Sequence, residues 1–160
     1  MKKNAEKTNV MRLLEQKKVE FKSYFFETEE AISGTEVAEV LGQDPKQVFK
    51  TLVTIGSTKN NYVFMIPVYK ELDLKKAAKV VGEKSISMIK SKELLPLTGY
   101  VHGGCSPIGM KKQFKTVVDA SAMTLDTLIF SGGRIGVQVE VSPTDLQKMV
   151  RFECADIVVE

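Results

Sequence analysis

Histidine is almost missing from this chain: His102 is the only one in 160 residues. A three-histidine metal site is therefore excluded, and a two-histidine site needs a second chain. A Ser-His-Asp or Cys-His arrangement has one possible base and stands or falls on His102. Cysteine is nearly as scarce. Cys105 and Cys154 are far apart, form no CxxC or zinc spacing, and fit a cytosolic protein with reduced thiols. No apolar run is long enough to span a bilayer, so no membrane partner is expected. The basic start Met1-Lys2-Lys3 is not followed by the apolar core of a secretory signal. Phosphate signatures of the GxxxxGK and GxGxxG types are absent, as are internal repeats and low-complexity segments. An enzyme with this composition would draw its chemistry from backbone amides, hydroxyls and a lysine, and neither metal nor cofactor is expected.

What is present is ordinary for a globular protein, with 43% hydrophobic and 27% charged residues. The length suits one well-buried core, expected over residues 8–160 behind a short flexible tail at residues 1–7. A formal charge of +3 permits contact with a polyanion but does not require it. The lysines at 17–18 and 75–79 serve equally well as solvated helix faces.

Capping residues punctuate the chain. Thr8 opens a helix through Lys18, and residues 21–26 read as a strand containing Tyr24. Ser33-Gly34-Thr35-Glu36 is a capping box, opening a helix that turns Val37, Val40 and Leu41 inward and ends at Gly42. Asp44-Pro45 starts a short turn. Asp73 caps a helix that Gly82 stops, Ser91 opens one expected to halt at Pro96, and Ser142-Pro143 opens the last. Apolar runs at 48–55 and 62–66 form a hairpin, with further strands expected at 86–89, 116–119, 125–130, 135–141 and 157–159. Cys154 reads as packed core. Strands outnumber helices and turns often join them. That pattern predicts an α+β fold with a mixed, strongly curved sheet.

Within the first hairpin, Lys50 interrupts an otherwise apolar strand and shares a face with Val48 and Leu52. Such an ammonium either guards a strand edge or is held for a purpose. Two glycine-rich loops bear on that choice: residues 100–109, which hold Gly103, Gly104, Ser106 and Pro107, and residues 131–134, Ser131-Gly132-Gly133-Arg134. Together they offer backbone amides that can approach an anion or a carbonyl oxygen.

Val48-Phe49-Lys50-Thr51-Leu52, Leu72-Asp73-Leu74-Lys75-Lys76, the run 99–109 and Ser131-Gly132-Gly133 resemble the YbaK/EbsC family in wording and order. Its members are free-standing relatives of the editing domain inserted in bacterial prolyl-tRNA synthetase. The likeness runs from about Tyr24 to the C-terminal helix and strand. It implies a partly barrel-like sheet flanked by helices and a trans-editing aminoacyl-tRNA deacylase activity, best known for Cys-tRNA(Pro). It also implies roles for particular residues. Lys50 matches the essential lysine and Thr51 its neighbour, residues 103–107 match the GxxxP loop, and Tyr24, Ser131 and Gly132 lie around the same pocket. Lys50 would hold the tRNA end or ester, the Gly103 and Gly104 amides would face the carbonyl oxygen, and Ser106 and Pro107 would help seat the substrate. In the YbaK branch the substrate's own thiol attacks its ester.

Mischarged tRNA is thus the expected partner, with prolyl-tRNA synthetase a further one. Arg134, Lys111 and Lys112 could meet tRNA phosphates or simply be solvated. The likeness departs at one point: several members carry an aromatic residue before the glycine matched by Gly34, where this chain has Ser33. That leaves the amino acid removed open, Ala-tRNA included. A non-catalytic module that binds the aminoacyl-tRNA end or a nucleotide is the alternative from another class. His102 and Cys105, three residues apart, also invite a thiol-nucleophile reading, although loop residues so close in sequence rarely face each other.

Overall fold

A computed structural model describes residues 7–27 and 33–160. Most of the expected N-terminal tail lies outside the described residues; Lys7 pairs with Glu15 at 3.0 Å. Helix α1 (Asn9–Gln16) starts where the Thr8 hydroxyl accepts from the Met11 amide, and it buries Val10, Met11 and Leu14. Strand β1 (Lys22–Phe25) follows. Helix α2 (Gly34–Leu41) carries the expected capping box between Ser33 and Glu36 and ends at left-handed Gly42. Its inward face is narrower than expected. Val37 and Ala38 are buried, but Val40, roughly 200° around the helix from Ala38, is 71% exposed.

The centre of the molecule is the hairpin of β2 (Phe49–Gly56) and β3 (Asn61–Pro67), in register from Phe49 opposite Pro67 to Ile55 opposite Asn61. Every residue of β3 from Tyr62 to Pro67 is buried, as befits an interior strand covered on both faces. Alternation sends Val63 and Met65 into one core, with Phe49, Val53, Leu128, Phe130 and Leu14. It sends Tyr62, Phe64 and Ile66 into another, against Ala77 and Ala78 of helix α3 (Leu74–Val81). A fully buried Phe64 contributes about 1.5–3 kcal/mol.

Five strands form one sheet in the order β4-β2-β3-β5-β8, where β4 is Ile86–Met88, β5 Lys115–Asp119 and β8 Phe152–Ala155. The parallel β3–β5 and β5–β8 pairs make the sheet mixed, as expected. A second sheet has the order β1-β7-β6, with β6 Leu128–Ser131 and β7 Val137–Val141. The expected single, partly barrel-like sheet is thus two sheets. They touch at a parallel bridge between Val48 and Ile129, where the Ile129 amide donates to the Gln47 carbonyl at 2.9 Å.

Four further expectations need correction. Helix α4 (Ser91–Thr98) runs through Pro96 and stops at left-handed Gly99. The carbonyl that loses its helical donor belongs to exposed Lys92, where water can serve it. The strand expected at 125–130 begins only at Leu128, because a 3-10 turn occupies Ala120–Thr124. The closing strand is β8, not 157–159. Past Ala155 the Asp119 carboxylate captures the Ile157 amide and Ile157 plugs the second core, so Val158 makes only a bridge to Leu72. Cys154, on the β8 edge, is exposed rather than packed. Helix α5 (Pro143–Met149) is capped by Ser142 as expected. No described helix is long and apolar enough to cross a membrane.

Candidate active site

The site begins with a strand paired along only part of its length. Strand β4 pairs with Thr54, Ile55 and Gly56 of β2, and the Ile89 amide then donates to the Val53 carbonyl at 3.3 Å. Beyond that point α4 leads the chain away. Antiparallel alternation turns the backbone groups of Thr51 toward the same edge as those of Val53, and no strand among the described residues covers them.

A cavity of about 610 Å³ opens along this edge, within the range usual for ligand sites. Its lining includes Lys50 and Thr51 of β2, Ser33 and Gly34 of the α2 start, and Gly103, Cys105 and Ser131. The α2 start approaches closely because residue 34 lacks a side chain: a Cβ there would stand 2.3 Å from Val68 Cγ1. Ser33 is committed to capping α2 and adds a small polar residue to the cavity wall.

Lys50 is half-buried and makes no ion pair or hydrogen bond with any described residue. Burial lowers its pKa from the usual lysine value, and the charge of Glu71 offsets part of that shift. The Thr51 hydroxyl is buried and has no partner among the described residues.

The glycine loop is held from within. Tyr100 donates its hydroxyl to the Ile108 carbonyl, and the buried Ser106 hydroxyl accepts the Ile108 amide at 3.3 Å. Gly103 takes a φ of 88°, which only glycine adopts easily. The expected pairing of Gly103 and Gly104 amides on one carbonyl oxygen is corrected here. The Gly104 amide donates to the Val101 carbonyl at 2.9 Å, and the residue is buried. A Cβ on Gly104 would stand 3.0 Å from the Ile135 amide nitrogen, so this glycine lets the two loops touch. The amides of Gly103 and Cys105, both on the cavity wall, have no partner among the described residues.

Of the residues singled out in the sequence, Lys50, Thr51, Gly103 and Ser131 therefore meet at the cavity. Gly104, Ser106, Pro107 and Gly132 stand behind its wall. Gly132 donates its amide to the Val137 carbonyl at 2.8 Å. Tyr24 also lies outside the lining. It packs near Ala38, Val48 and Val68, and its hydroxyl donates to Glu140, whose hydrogen bond holds the phenol up at about 12. The Ser131 hydroxyl accepts the Gly133 amide at 3.1 Å.

His102 and Cys105 both line the cavity, but no hydrogen bond joins them. Burial pushes the Cys105 thiol up to about 12, against a hydrogen bond with Thr98, so it stays protonated and a poor nucleophile.

Sequence reasoning missed two parts of the wall. Gln138 is buried there, its Oε1 accepting from Gln43 Nε2 at 2.8 Å, while Gln43 Oε1 is buried unpartnered. In the sequence Gln138 is simply the polar alternate between Val137 and Val139. The segment of Met88, Ile89, Lys90, Ser91 and Leu94 closes the open edge of β2, and nothing local announces it.

A half-buried ammonium and two amides with no partner among the described residues thus line one cavity of about 610 Å³, a set of groups suited to an anionic or carbonyl-bearing ligand. The chain belongs to the aminoacyl-tRNA editing domain family, whose model matches residues 28–149. It is 45% identical over 157 residues to the Enterococcus faecalis protein named "Putative Cys-tRNA(Pro)/Cys-tRNA(Cys) deacylase EbsC", covering 98% of this chain and 96% of that one. A 94-residue stretch, 59% of this chain and 16% of the other, is 33% identical to a proline–tRNA ligase of Thermodesulfovibrio yellowstonii. Among solved structures, the "putative trans-editing enzyme for prolyl tRNA synthetase" shares the fold, with a TM-score of 0.80 and 22% identity. That match covers 97% of this chain and all of the other.

Proposed function

We propose that this protein is a trans-editing deacylase that removes a mischarged amino acid, cysteine first among candidates, from tRNA(Pro). The observation that carries the reading is Lys50: a half-buried ammonium, without an ion pair among the described residues, on the wall of a cavity that Gly103 and Cys105 also line with amides unpartnered among those residues. Kinship with an editing family and with a Cys-tRNA(Pro) deacylase supplies the substrate class.

An aminoacyl ester is already activated, so a site of this kind needs to orient it and stabilise the developing oxyanion. Lys50 holds the phosphate-bearing tRNA end or the ester. The Gly103 and Cys105 amides donate hydrogen bonds to the carbonyl oxygen as it gains charge. With Cys105 protonated and no other described thiol on the wall, the nucleophile comes from the substrate. Its thiol sulfur bonds to the ester carbonyl carbon, the bond from that carbon to the ribose oxygen breaks, and the thiol proton passes to that oxygen, which leaves as the free ribose hydroxyl. Choice of tRNA falls to a partner, for which prolyl-tRNA synthetase is the candidate.

The test is loss of labelled cysteine from Cys-tRNA(Pro), beside Ala-tRNA(Pro), by the wild type and by Lys50→Ala. Rapid cleavage by the first alone upholds the reading. Equal rates in both remove Lys50 from the mechanism, and tRNA binding without turnover leaves a non-catalytic module.

A further inference from the structure

The charge of this protein is concentrated beside the cavity. Residues 84–114 hold five lysines and one glutamate, a net of +4 in a chain whose total is +3, so the remainder is slightly acidic. Lys90, Lys92, Lys111 and Lys112 are all exposed, and none pairs with a carboxylate among the described residues. Some lysines elsewhere do pair, Lys76 with Asp156, Lys115 with Glu153 and Lys148 with Asp145, while others, such as Lys75 and Lys79 on α3, have no such pair among the described residues. The one acid of the segment, Glu93, accepts the Lys90 amide at 2.9 Å and so is spent on capping α4.

These cations follow a track. Lys90 lies on the lip of the 610 Å³ cavity, and Lys92 lies on a second hollow of about 490 Å³ between α4 and the far end of the β2–β3 hairpin. Ile89 lines both, so the two hollows share a wall. Lys111 reaches toward the Pro96 carbonyl at 3.5 Å, which sets it and Lys112 at the C-terminal end of α4. Between the lysines stand exposed Leu95, at 52%, and Pro96.

We propose that α4, with the second hollow and Lys90, Lys92, Lys111 and Lys112, is the docking surface for the acceptor end of tRNA. The phosphates leading away from the ester lie on the lysines, and the sugar and base faces lie on Leu95, Pro96 and Leu97. This rests on the deacylase reading of the neighbouring cavity. A protein partner fits the surface less well, because protein interfaces are depleted in lysine where they are most buried. Unpaired lysines spaced along a groove are what a phosphodiester chain requires.

The test is binding of uncharged tRNA(Pro) to the full chain by fluorescence anisotropy across a series of salt concentrations. Lys92→Glu with Lys112→Glu is expected to weaken binding about tenfold or more at low salt and to flatten the log–log salt slope by about two, one per lost phosphate contact. Lys92→Gln with Lys112→Gln is expected to flatten the slope equally without reversing charge. Lys75→Glu with Lys79→Glu, an equally exposed pair on α3, is expected to leave the slope unchanged. An unaltered slope in the α4 variants, or the same loss in the α3 pair, overturns the proposal. So does an effect seen only when prolyl-tRNA synthetase is added, which would give the face to a protein. A wild type that binds tRNA with this slope but spares Cys-tRNA(Pro) keeps the surface and removes the deacylase.

Discussion

The two ends of β2 each hold an ionisable group against apolar surroundings, and the molecule treats them in opposite ways. At the Gly56 end, the Glu83 carboxylate accepts from Ser57 Oγ at 3.1 Å, the Thr58 amide at 3.1 Å, the Thr58 hydroxyl and the Tyr62 hydroxyl at 2.6 Å. Those bonds, the Thr58 hydroxyl foremost, hold it down at about 2. Gly56 makes room for it, since a Cβ there would stand 2.3 Å from Glu83 Cδ. At the other end Lys50 has no such company among the described residues, and burial works against its charge. A saturated charge ties a turn together. An unsatisfied one is left ready for a ligand.

Substitutions can break this contrast. The largest effect belongs to Lys50→Ala, expected to lower kcat/KM for Cys-tRNA(Pro) by about 10²–10³ while leaving thermal stability unchanged or slightly raised. A melting temperature that falls with activity would show that Lys50 supports the fold instead. The same lysine sets a pH signature. Because burial favours its neutral form, activity that needs the ammonium should fall on an alkaline limb with an apparent pKa below the ordinary lysine value. Rates corrected for uncatalysed ester hydrolysis measure it.

Next in size is Gly34→Ala, which drives a methyl into Val68 and should cost about 1–3 kcal/mol in urea unfolding while reshaping the cavity mouth. An unchanged midpoint would mean that α2 shifts freely. Glu83→Gln should lower the melting temperature at neutral pH and keep kcat/KM within about twofold, the reverse of Lys50→Ala. The sign follows from the depressed pKa. The stability Glu83 contributes is present above the unfolded carboxylate range and fades as pH falls through about 2, so the gap between wild type and variant should close in acid. Smallest of all is Cys105→Ala, which removes a protonated thiol and keeps its amide; activity within about threefold is expected, and abolition would restore the cysteine as a nucleophile.

Local chemistry was legible in the sequence wherever one residue decides the outcome. Thr8, Ser33, Asp73 and Ser142 cap the helices they were expected to cap, and Gly42 and Gly82 end theirs in the left-handed region. Lys50 stood out because one charge in an apolar strand is a conflict the fold must resolve. What stayed hidden depends on partners distant in the chain. Gly104 was read as an amide donor, but its lack of a side chain serves contact with Arg134 and Ile135, and its amide is taken by Val101. Gln138 gave no signal, because any strand with one wet face shows polar alternates. Ala155 ends β8 for a reason written at Asp119, which catches the next segment from another strand.

The short reach of β4 along β2 has an engineering consequence. The stretch from Ile86 to Gly99 forms one flank of the cavity, yet Lys90, Ser91 and Leu94 lie beyond the last rung of the ladder. The part of that flank past Met88 takes no place in the ladder, so exposed side chains such as Lys90 and Ser91 can be exchanged without touching the register of the central hairpin.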